Sequence, residues 1–134
     1  MRYAAMFSVA FLALLIAATP IAAHHSFAAE YDSTKPAKLT GKVTKVEWQN
    51  PHVFFYIDVK DEKTGLIVNW CVELGSPNGL MRLGWTRKSM EINSIVTMEG
   101  SLARDGSKLV NARSVILADT GKRLFAGSSE GNAP

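Results

Sequence analysis

Residues 52 to 60 alternate in character with a period of two. Val53, Phe55, Ile57 and Val59 share one parity, and His52, Phe54, Tyr56 and Asp58 share the other. That alternation marks a strand with one buried face. The pattern recurs at 66 to 74, where Val68, Trp70, Val72 and Leu74 form the apolar set and Asn69, Cys71 and Glu73 point the other way. Asp61-Glu62-Lys63-Thr64-Gly65 joins the two as a polar hairpin loop, with glycine where a positive φ is needed. Upstream, Leu39, Gly41 and Val43 keep one parity while Val46 and Trp48 keep the other, which predicts a first strand bulged near Thr44 and Lys45. Asn50-Pro51 then reads as a turn.

After the third strand, Gly75-Ser76-Pro77 opens a short helix, with Ser76 as N-cap and Pro77 at the first helical position. Leu80, Met81 and Leu83 are its expected buried side, and Gly84 stops it. A connector over 85 to 93 leads to two more strands, at 95 to 103 and 108 to 118, joined by the turn Arg104-Asp105-Gly106-Ser107. Three strands, a helix and two strands, with the first strand bulged, predict an OB-like five-stranded antiparallel barrel with one short helix. An open antiparallel sandwich of the same strands satisfies the alternation equally well.

The chain has 134 residues, the size of one domain. Its first 23 residues read as a signal peptide: Arg2 precedes an almost unbroken apolar run over 4 to 18, and the small residues Ala22 and Ala23 follow. Cleavage after Ala23 gives a mature chain beginning at His24, periplasmic or secreted. No Cys stands at the end of that segment to carry a lipid, so no membrane anchor is expected after cleavage. Residues 24 to 37, closed by Pro36, read as an N-terminal arm, 38 to 125 as the barrel, and 126 to 134 as a disordered tail. Lys+Arg 15 against Asp+Glu 12 leaves no concentrated basic stripe for a nucleic acid. The single Cys71 excludes an internal disulfide.

Several short signatures run through this framework: His24-His25-Ser26-Phe27, Trp48-Gln49-Asn50-Pro51-His52, Asn69-Trp70, Gly75-Ser76-Pro77-Asn78, Gly84-Trp85 and Asp105-Gly106-Ser107. Together they make the chain resemble a family of short exported bacterial proteins classed as a domain of unknown function. The resemblance spans nearly all of the mature chain. It implies export and a single domain, and it carries no catalytic assignment.

Two groups of residues suggest chemistry. His24, at the expected new terminus, offers both an α-amine and an imidazole, and with His25 and His52 it makes a nitrogen-rich set of the kind that favours Cu(II). The simpler alternative is a pair of solvated histidines and a His52 that hydrogen-bonds at a turn. Phe54 and Tyr56 lie on the outward parity of the second strand, where OB-like barrels carry an aromatic ligand platform. The alternative here is that the arm, through Phe27 and Tyr31, or the segment around Leu124 and Phe125 covers them. Glu73 and Asp58 share that outward parity, but no acid, base and nucleophile set is completed by a Ser, Cys or His, and Cys71 reads as a half-buried thiol. The reading is therefore a non-enzymatic exported binding or accessory module whose partner is a small ligand or a periplasmic protein, with copper binding as the alternative.

Overall fold

The computed structural model describes residues 27–127; the expected signal peptide, His24, His25 and residues 128 to 134 lie outside the described residues. The fold is mostly β. A helical turn, α1 (Phe27–Glu30), runs directly into the long strand β1 (Tyr31–Glu47), followed by β2 (Phe54–Lys60), β3 (Ile67–Glu73), the helix α2 (Pro77–Arg82), β4 (Ile95–Ala103), β5 (Leu109–Leu117) and a short β6 (Arg123–Phe125).

The strands lie in the order β3-β2-β1-β4-β5-β6, and a further pairing joins β3 to β5. That last contact closes a ring of hydrogen-bonded strands around the core. It is parallel, matching Cys71 to Leu109, Val72 to Val110 and Glu73 to Asn111, whereas the other pairings are antiparallel. Against the expectation of five antiparallel strands and one helix, the described residues thus form six strands, with one parallel junction, and two short helices. Alternation reports which face of a strand is buried and is silent on which strand lies beside it, so the closing pair left no trace in the sequence pattern.

β1 serves both sides of the ring. It pairs with β4 from Tyr31 to Lys42 and with β2 from Lys42 to Glu47, with a register shift between Val43 and Lys45. The bulge therefore falls where the parity of the apolar residues switches. Residues 31 to 37, expected to be part of a free arm, are the first half of this strand. Pro36 is accommodated by a second register shift, between Asp32 and Pro36, since a proline has no N–H to give the ladder. At Gly100 the backbone of Asn111 comes so close that any Cβ would collide with its carbonyl oxygen, which places the glycine at the β4–β5 register shift.

Inside the ring, Val43, Phe55, Ile57, Val72, Val96, Met98, Val110 and Val115 are fully buried. α2 covers one end. Ser76 caps it by accepting the Gly79 N–H at 3.2 Å, with Pro77 in the first turn. Leu80 reaches the core, but Met81 and Leu83, expected beside it, are 52% and 39% exposed. A six-residue helix can turn only a narrow face inward. Trp85 takes that space instead, 2% exposed, with its indole N–H donated to the Phe125 carbonyl at 2.7 Å. The chain beyond β6 is held there too. Ala126, expected to begin a disordered tail, is fully buried, accepts the Gly75 N–H at 2.7 Å and donates to the Arg113 carbonyl at 2.9 Å.

Candidate functional site

The outward face of β3 carries a row of polar groups that strand parity alone would send to solvent. Glu73 is 6% exposed. Its register partner on β5, Asn111, is 2% exposed, and Asn111 pairs in turn with Ser101 of β4, 1% exposed. What excludes water here is the start of the described chain: Tyr31 is 2% exposed, its ring stacked on Phe27 with centroids 5.6 Å apart.

A buried carboxylate needs donors, and Glu73 has two. The Tyr31 hydroxyl donates to Oε2, and Nδ1 of His52 hydrogen-bonds Oε1. His52 precedes β2, but its neighbour Val53 extends the ladder, donating to the Gly75 carbonyl at 2.9 Å and accepting the Leu74 N–H at 2.8 Å. Because Phe54 opposes Glu73 in register, His52 falls on the diagonal of the same face, the distance at which long cross-strand side chains meet. Burial, followed by the Glu73 hydrogen bond, pushes the Tyr31 phenol far above its ordinary range, so it acts as a permanent donor. The carboxylate fixes the imidazole by one nitrogen. The other ring nitrogen, Nε2, has no hydrogen-bond partner among the described residues, and the side chain is still 47% exposed.

Asn111 adds a second feature. Its Oδ1 is buried and has no hydrogen-bond partner among the described residues, in a position matched in register to Glu73. Such orphaned acceptors are rare in folded proteins.

Phe54 and Tyr56, expected as an aromatic platform, are both half-buried. Tyr56 is engaged on several sides: its hydroxyl donates to Glu47 at 3.3 Å, the Lys45 ammonium lies 5.1 Å from its ring centroid, and Lys45 in turn pairs with Glu47 at 2.5 Å. A hydrogen bond with Cys71, together with burial, pushes the Tyr56 phenol up to about 12. Cys71 lies opposite Tyr56 in the β2–β3 ladder, and burial raises its thiol, which suits a packed residue rather than a nucleophile. Asp58, the other candidate acid, accepts the Asn69 amide at 2.8 Å and does not join Glu73.

Of the three histidines singled out in the sequence, His52 alone is described. Among the described residues no three His, Cys, Asp or Glu side chains form a group able to hold a metal, so a metal at His52 needs ligands from elsewhere. Tyr31 and Asn111 were not recognisable as site residues. A tyrosine within an apparent arm and an asparagine in an apolar strand acquire their meaning only when β1, β4 and β5 are placed side by side.

Comparison with known proteins finds a model of a protein family of unknown function that matches residues 12–111. No curated protein and no solved structure matches.

Proposed function

The chain belongs to DUF6152, a family of unknown function, and from that starting point we propose that it is an exported, non-enzymatic binding module of OB-like barrel type that holds Cu(II) with His52 and the N-terminal His24 and His25. The observation that carries this reading is the Tyr31–Glu73–His52 chain of hydrogen bonds. Metal-binding imidazoles characteristically give their second nitrogen to a carboxylate, which fixes the tautomer and aims the ligating nitrogen. Here Glu73 occupies Nδ1, and the His52 side chain is still 47% exposed. The remaining ligands are close in sequence to this point, for His24 stands three residues before Phe27, roughly 10 Å of extended chain. Phe27 is stacked on Tyr31, which bonds the same carboxylate as His52. A set of one amine and three imidazoles prefers Cu(II) over Zn(II) by the general order of divalent metals.

Calorimetric titration of chain processed to His24 tests the reading. One Cu(II) should bind, more tightly than Zn(II). Acetylating the terminus and substituting His52→Ala should each weaken it, and Glu73→Gln should cost about 10- to 100-fold in affinity, the usual effect of loosening a ligand's carboxylate partner. Binding should also fall as the pH is lowered, because the amine and imidazoles coordinate only when unprotonated. Copper affinity unchanged by both acetylation and His52→Ala overturns the proposal.

A further inference from the structure

The end of the ring away from α2 is open. A cavity of about 510 Å³ lies there, within the size range of small-molecule sites. Leu39, Val59, Val68 and Trp70 form its apolar floor. Val68 and Trp70 are on the inward parity of β3, yet they stay half-buried, because the β3–β5 ladder starts only at Cys71 and no strand among the described residues closes over the residues before it.

The rim is cationic. Lys60, Lys63 and Lys108 line it, and none of the three forms an ion pair among the described residues. Lys108 holds its ammonium 4.9 Å from the Trp70 ring centroid, joining rim to floor. Lys38, also on the rim, is committed to Glu99 at 3.3 Å. Of the two nearby acids, Asp61 is used by the hairpin, accepting the N–H groups of Lys63 and Thr64 at 2.8 and 2.9 Å. Asp61 keeps its negative charge there, as does its neighbour Glu62, so the three ammoniums face two carboxylates and the rim is left with a net charge of 3 − 2 = +1.

We infer that this open end binds an amphipathic organic anion, with its charged head on Lys60, Lys63 and Lys108 and its apolar body on the floor beside Trp70. A neutral apolar molecule would cover the floor and leave the three ammoniums at its edge without an ionic partner. An inorganic anion would answer the charges and leave the floor wet. An anion with an apolar body does both. The site is separate from His52 and involves none of the groups assigned to copper.

Anilinonaphthalene sulfonate, a fluorescent aromatic anion, is the probe. The folded chain should bind one molecule saturably, with quenching of tryptophan emission that is reduced in Trp70→Phe. Neutral N-phenylnaphthylamine, of similar apolar body, should bind about tenfold more weakly, the scale of one charge-assisted contact. The triple variant Lys60→Gln, Lys63→Gln, Lys108→Gln should lose about as much affinity for the sulfonate while melting at the same temperature, since these lysines are on the rim. His52→Ala should bind the probe normally. Equal binding of the neutral probe, unchanged binding by the triple variant, absence of saturation, or full competition by inorganic sulfate would each overturn the inference.

Discussion

The two ends of the ring are finished in opposite ways. At the α2 end, Leu74, Leu80 and Trp85 are 1%, 0% and 2% exposed, and the chain after β6 is bonded over them. At the hairpin end, Val59, Val68 and Trp70 are only half-buried, and Leu66 and Ile67 are 66% and 62% exposed. The strands supply inward apolar residues to both ends alike. What differs is the cover: one end has a helix, a tryptophan and a returning strand, and the other has lysines. An inward-facing side chain therefore counts toward stability only in proportion to what lies over it.

The largest expected effect tests that contrast directly. Phe55→Ala, at a fully buried position, should destabilise by about 3–5 kcal/mol, and Trp85→Ala by a similar amount. Trp70→Ala should cost less, about 1–2 kcal/mol, because the side chain is only half-buried to begin with. Urea unfolding of the three variants measures this. Equal costs at Trp70 and Trp85 would mean that the hairpin end is as well covered as the other.

The next effect belongs to the outer polar row. Glu73→Ala removes the acceptor of the buried Tyr31 hydroxyl and should cost about 1–3 kcal/mol. Tyr31→Phe should cost less than Glu73→Ala, since it leaves the carboxylate with its His52 partner. A double-mutant cycle between them should give a coupling energy above about 0.5 kcal/mol, as for other residues in one hydrogen-bond network. Additive effects would separate the phenol from the carboxylate.

This row also shows where sequence reading stops. The parity of β2 and β3, the bulge in β1, the Ser76 cap and the β4–β5 turn are all legible, because each is a local consequence of side-chain period or turn chemistry. Asp105, for example, accepts the Ser107 N–H at 2.9 Å, with Gly106 at φ 78, as a turn of that composition requires. Glu73 is different. Its outward parity was legible, but its burial depends on Tyr31, 42 residues away, in a segment that reads as an arm because it lacks strand alternation and is closed by Pro36. The same holds for Ala126, whose burial needs Gly75 as a partner. Local pattern specifies elements; contacts between distant elements decide which polar residues become a site.

Cys71 allows a smaller test of the covered face. Burial holds its thiol above the ordinary range, so at a given mildly alkaline pH the thiolate is scarcer than for free cysteine. Alkylation by iodoacetamide at pH 8 should be slower than that of glutathione under the same conditions, and should speed up in urea. In native buffer, Tyr56→Phe should slow it further at a given pH, since the Tyr56 hydrogen bond acts to lower the thiol. Native alkylation as fast as that of the unfolded chain would show the face to be open.

The smallest effect is expected at the surface of β4, beside the open end. A hydrogen bond from Arg123 at 2.9 Å, and after it the Lys38 ammonium, holds the Glu99 carboxyl below the usual carboxylate range. With its folded value depressed, the stabilisation from Glu99 is present above the unfolded value, about 4.3, and is lost as the pH falls through the folded one. Arg123→Gln should therefore lower the melting temperature slightly at pH 7 and by less at pH 2, since acidification protonates the carboxyl. Salt should erase the difference at pH 7, as for other exposed pairs. If Arg123→Gln instead lowers the melting temperature equally at both pH values, its contribution comes from packing β6 against β5, where its guanidinium also donates to the Ser114 hydroxyl at 2.9 Å. Charge would then have no part in how this side of the ring is held.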